Sequence, residues 1–93
     1  MPFYAAIWNK ATLTMLDAMD ISAKKRGGTR VGTAMLFYAE NDDDANAVIL
    51  PLTKHADQAD NFVLLTVAKA SEEPKRQDIP LSSFAHKVNF QQR

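Results

Sequence analysis

The sequence predicts an α+β domain with a mostly antiparallel sheet of about four strands and one main helix on one face. Three observations carry this. The runs Phe3 to Trp8, Met35 to Ala39 and Phe62 to Ala68 are short and apolar on both alternating faces. One segment alone, Lys10 to Arg26, has a strong helical period. The polar stretch Glu40 to Ala45 between two apolar runs reads as a hairpin turn.

The first strand is Phe3 to Trp8, bounded by Pro2 and Asn9. Asn9 is a plausible N-cap for the helix, because its side-chain oxygen can accept from an otherwise unbonded helical amide. Within the helix, Leu13, Leu16, Met19 and Ala23 recur at three- and four-residue steps, with Met15 beside the stripe. Lys24, Lys25 and Arg26 complement the negative pole, and Gly27 or Gly28 supplies a left-handed ending. A second strand follows from Thr33 to Ala39 and a third from Asn46 to Leu52, where Pro51 favours an edge. Phe62 to Ala70 is the fourth and most central strand, with Phe62, Leu64 and Ala68 on one face and Val63, Leu65 and Val67 on the other.

The domain core is thus expected over residues 1–70. A polar linker follows over 71–80, then a tail, 81–93, that uses Leu81, Phe84, Val88 and Phe90 to pack on the core or on a partner. The order strand, helix, strand, strand, short segment, strand becomes the ferredoxin-like βαββαβ arrangement only if Thr53 to Asn61 forms a second helix. That segment lacks an apolar stripe, so the single-helix version is preferred. Its core draws on Leu13, Leu16, Met19, Met35, Phe37, Val48, Leu50, Leu64 and Val67.

One helix can shield only one face of so small a sheet. The second apolar face must meet the tail, a second copy or another molecule, and this is the strongest functional statement in the sequence. With 93 residues the chain is one small domain. It has no cysteine, which excludes disulfides, thiolate zinc sites and cysteine nucleophiles. Eleven basic and eleven acidic residues balance, against a general nucleic-acid coating role. The amino-terminal segment has no secretory-signal pattern, no apolar run approaches the roughly 18 residues of a membrane span, and the expected location is the cytoplasm.

Candidate sites are few. Lys24, Lys25, Arg26 and Arg30 surround a Gly pair and could contact phosphates of a nucleic acid beside the sheet aromatics, or simply cap the helix. Glu40, Asp42, Asp43 and Asp44 suggest calcium, but an EF-hand loop starting at Asp42 would need Gly and Glu where Ala47 and Thr53 stand. His55 lies near Asp57 and Asp60, yet no hydroxyl sits in a strained nucleophile turn, so no enzymatic activity and no cofactor are expected. The favoured reading is a small binding or regulatory module acting by protein–protein contact. It would be accessory or inhibitory, of the kind that phages and mobile elements encode, and able to self-associate as a homodimer. Trp8, Tyr38 and Leu65 would be its anchors, with Asp42, Asp43 and Asp44 setting orientation.

Overall fold

Helix α1 spans Leu13–Lys25 and follows strand β1, Phe3–Trp8. Thr12, not Asn9, is the N-cap, and its Oγ1 accepts from the Met15 amide at 3.2 Å. The buried stripe is Met15, Met19 and Ala23. Leu16 is half-buried against it, and Leu13, expected in the core, is 82 % exposed in the first turn. At the other end the Gly27 amide donates to Lys24 and the Gly28 amide to Ala23, the six-residue closure that requires a left-handed residue. Gly27 takes that conformation, at φ +69°.

A computed structural model describes residues 2–57, 64–70, 84 and 86–90. Beyond α1 come β2 (Thr29–Val31), β3 (Ala34–Tyr38), α2 (Asp42–Asp57), β4 (Leu64–Ala70) and the two-residue β5 (His86–Lys87). All neighbouring strands are antiparallel, in the order β2-β3-β1-β4-β5. The chain is an α+β domain. Its first four strands and two helices have the βαββαβ connectivity that the sequence placed second.

The second helix replaces the predicted third strand, Asn46 to Leu52. Asn41 caps it by accepting from the Asp44 amide at 2.8 Å, and three aspartates fill the first turn, where the helix dipole favours negative charge. Ala45, Ile49 and Leu52 then fall on one buried face, with Val48 beside them. Leu50 is only half-buried. Pro51 stands inside the helix, exposed, so the carbonyl it leaves without a helical donor, on Ala47, belongs to an exposed turn.

Both helices cover the same face of the sheet. Tyr4, Ala6, Trp8, Met35, Phe37 and Val67 pack there against Met15, Met19, Ala23 and Ile49. The opposite face carries Phe3, Ala5, Leu36, Ala68 and Ala70, closed over by Phe84 of the tail, whose ring lies 6.0 Å from that of Phe3. Val88 returns to the helix side, its amide donating to the Val67 carbonyl at 2.7 Å.

In β4 the predicted faces are corrected by a bulge. Ile7 pairs with Thr66 and Trp8 with Leu64, so Leu65 is the extra residue. Leu64 packs on the helix side while Ala68 packs on the opposite one. Leu65 is left 58 % exposed. Leu81, Phe62, Val63, Asp60 and the linker 71–80 lie outside the described residues.

Candidate functional site

The acidic and basic clusters meet. Arg26 is the C-cap of helix α1 and α2 begins at Asp42, and their adjacent ends set the Arg26 guanidinium against the Asp44 carboxylate. Nη1 donates to Oδ2 at 2.7 Å and Nη2 to Oδ1 at 3.0 Å, the two-pronged geometry peculiar to arginine. The Glu40 amide donates to the same Oδ2 at 3.0 Å. Arg26 therefore holds the Asp44 carboxyl below the usual carboxylate range, and Asp44 raises the guanidinium further. Beside them, the Tyr4 hydroxyl donates to Asp42 Oδ1 at 2.8 Å. Burial first, then that bond to a carboxylate, pushes the phenol well above its ordinary value.

These contacts redistribute the predicted sites. Asp42 and Asp44 are engaged within the fold, and Asp43 alone of the three remains exposed without such a bond. Arg26 is committed to Asp44, while Arg30 donates from Nε to Asp20 at 2.8 Å and from Nη1 to the Gly32 carbonyl at 2.7 Å. Of the four cations proposed for phosphate contact, Lys24 and Lys25 are exposed and outside these pairs. Among the described residues no group of three or more acidic or histidine side chains is arranged to hold a metal. His55 is exposed near the end of α2.

The three predicted anchors do not share a surface. Trp8 is corrected to a core residue. It is 1 % exposed on the helix-covered face, because β1 is the central strand and its even-numbered positions point at the helices. Tyr38 is half-buried on the opposite face, its ring 4.7 Å from Phe3 and edge-on to it. Leu65 lies at the other end of β1, beside the Trp8–Leu64 pair.

What the sequence reading missed is a row across the tail-side face. Val31 pairs with Ala34, Ala34 with Ile7, and Ile7 with Thr66, so one register line crosses four strands. Val31 is 61 % exposed, the other three are half-buried, and none joins either core cluster of the described residues. Phe84 covers the other end of this face. At strand spacings of about 4.8 Å the row is roughly 14 Å long, and the exposed, bulged Leu65 adjoins Thr66 in sequence. Only Thr66 interrupts its apolar character. Among the described residues no helix is long and apolar enough to cross a membrane.

Compared with protein-family models, curated proteins and solved structures, the chain matches none.

Proposed function

We propose that this protein is a small non-enzymatic binding module that regulates a protein partner by laying the Val31–Ala34–Ile7–Thr66 row against it. The single observation that supports this is the row itself: mostly apolar side chains in one register line, outside both core clusters of the described residues, on a sheet face whose other end is closed by Phe84. Apolar surface of this kind is stabilised when another protein removes it from water. The row is far smaller than the ~800 Å² per partner of a standard stable interface, which suits a reversible, accessory or inhibitory contact. The nucleic-acid reading is weaker, since Arg26 and Arg30 already bind carboxylates.

Affinity capture tests this with two exposed positions whose change should leave the fold intact. A partner held by the native chain should be lost from Leu65→Asp and Val31→Asp and kept by a Lys24→Ala, Lys25→Ala variant. Binding that ignores the first pair, or that disappears with the second and falls steeply with salt, overturns the proposal in favour of a phosphate contact.

A further inference from the structure

We infer that the free edge of β2 is a strand-addition site for an extended protein segment in which an acidic side chain stands between two apolar ones. This rests on the reading of the chain as a protein-binding module and gives that module a partner chemistry.

Among the described residues, strand β2 is the last strand of the sheet and has β3 as its only neighbour. The two-residue loop Gly32–Thr33 joins them, with Gly32 at φ +61° in the first loop position, where a hairpin turn of the II′ type takes glycine. Such a loop closes on a hydrogen-bonded pair, here Val31 and Ala34. Bonded and non-bonded pairs alternate along an antiparallel ladder, so Arg30, one step on, directs its N–H and C=O away from β3. Those groups are free to bond an added strand.

Each side of that edge selects a different side chain. On the helix side an open depression of about 300 Å³ lies between α1 and β2, lined by Asp20, Lys24, Gly28, Thr29 and Arg30. Asp20 is matched by Arg30 at 2.8 Å, which leaves Lys24 without a carboxylate partner among the described residues and calls for one from outside. On the other side Thr29 and Val31 are exposed, and an apolar neighbour beside Val31 would extend the apolar row by one strand.

The edge is guarded by its length of three residues but not by a blocking side chain. It has no proline, and its one charged residue folds back onto Asp20 and the Gly32 carbonyl instead of projecting across the edge. A second copy is the wrong occupant. Two β2 strands paired antiparallel about Arg30 would set that arginine, already committed to its own Asp20, opposite its copy, and so would bring no carboxylate to Lys24. A foreign segment with a carboxylate opposite Arg30 supplies one.

The test is a titration of the peptide acetyl-Thr-Val-Glu-Val-Thr-amide into the full chain labelled with ¹⁵N, followed by amide shifts. The expected result is saturable shifts at Thr29, Arg30 and Val31, with the peptide carrying Lys in place of Glu binding about tenfold more weakly. Arg30→Pro and Arg30→Ala both lack the guanidinium and differ in the edge N–H, so the proline variant should bind about tenfold more weakly than the alanine variant. Lys24→Glu should reverse the preference between the two peptides, and it decides the matter if the proline variant does not fold. Equal binding of both peptides with shifts elsewhere, or β2 shifts that track a concentration-dependent dimer, overturns the inference. Loss of peptide binding while the Leu65 and Val31 dependence of partner capture persists would remove the edge site and leave the function standing.

Discussion

Arg26, the last cap of α1, and Asp44, in the first turn of α2, are joined by two parallel hydrogen bonds of 2.7 and 3.0 Å. The pair ties two helices that are separated in sequence by the whole β2–β3 hairpin. It also explains why two clusters that each resemble a binding site in sequence are partly neutralised in the fold. Their side chains are 34 % and 24 % exposed, so solvent screens the pair in part. Asp44→Asn should cost about 1–2 kcal/mol, a loss of several degrees in melting temperature. A double-mutant cycle with Arg26→Gln should show that most of the cost is shared.

The same pair sets an acid limit. The Asp44 carboxyl is lowered by Arg26, so the folded state binds its proton more weakly than the unfolded chain does. The resulting stability is complete above the ordinary carboxylate value of about 4 and is lost as pH falls through the lower folded value. Denaturant midpoints between pH 2 and 6 should fall less steeply in Asp44→Asn than in the native chain.

Tyr4 acts at the opposite end of the scale. Its phenol is raised by burial and by the Asp42 carboxylate, so its contribution is complete below the ordinary value of about 10 and is lost as pH rises beyond it. Absorbance at alkaline pH should show the Tyr4 phenolate emerging together with unfolding. Tyr4→Phe should unfold at higher pH, while losing about 1 kcal/mol near neutrality with the bond to Asp42.

The glycines at 28 and 32 should respond differently to alanine. A Cβ at Gly28 would lie 1.7 Å from the Leu36 carbonyl oxygen, which forces β2 and β3 apart, whereas at Gly32 nothing stands within 4 Å and only the φ of +61° resists. Gly28→Ala should abolish cooperative unfolding or lower stability by several kcal/mol; Gly32→Ala should cost about 1 kcal/mol. Thermal melts of the two variants separate these cases.

Trp8 is buried, and its indole N–H has no acceptor among the described residues. An unbonded buried donor is itself destabilising by ~1–3 kcal/mol, so Trp8→Phe, which removes it and keeps most of the ring, should cost far less than the ~3–5 kcal/mol of Trp8→Ala. Chemical denaturation measures both.

Much of this architecture was legible in the residues. Strand β1 matches its predicted bounds, and α1, β3 and β4 lie within theirs, because α1 has a clear helical period and each strand is a short apolar run between Pro, Gly or polar boundaries. The left-handed ending near Gly27 was legible for the same reason. Helix α2 was not. Asn46 to Leu52 is a short, nearly continuous apolar run broken by Pro51, a pattern that periodicity alone cannot separate from a strand, and the aspartates before it served equally as a turn or as a helix start. The apolar surplus on the sheet was legible, and Phe84 packs on part of the face opposite the helices. The individual anchors were not legible, since a bulge at Leu65 and the central place of β1 decide which side chains reach water, and neither is a local property.

The most direct measurement is position-specific photo-crosslinking of the intact chain in cell extract. Benzoyl-phenylalanine is placed in turn at Val31, at Leu65 and at Ala47, which is exposed on α2. The account predicts one discrete protein adduct shared by Val31 and Leu65 and absent from Ala47. Adducts of equal yield at all three positions, or at Ala47 alone, would contradict it.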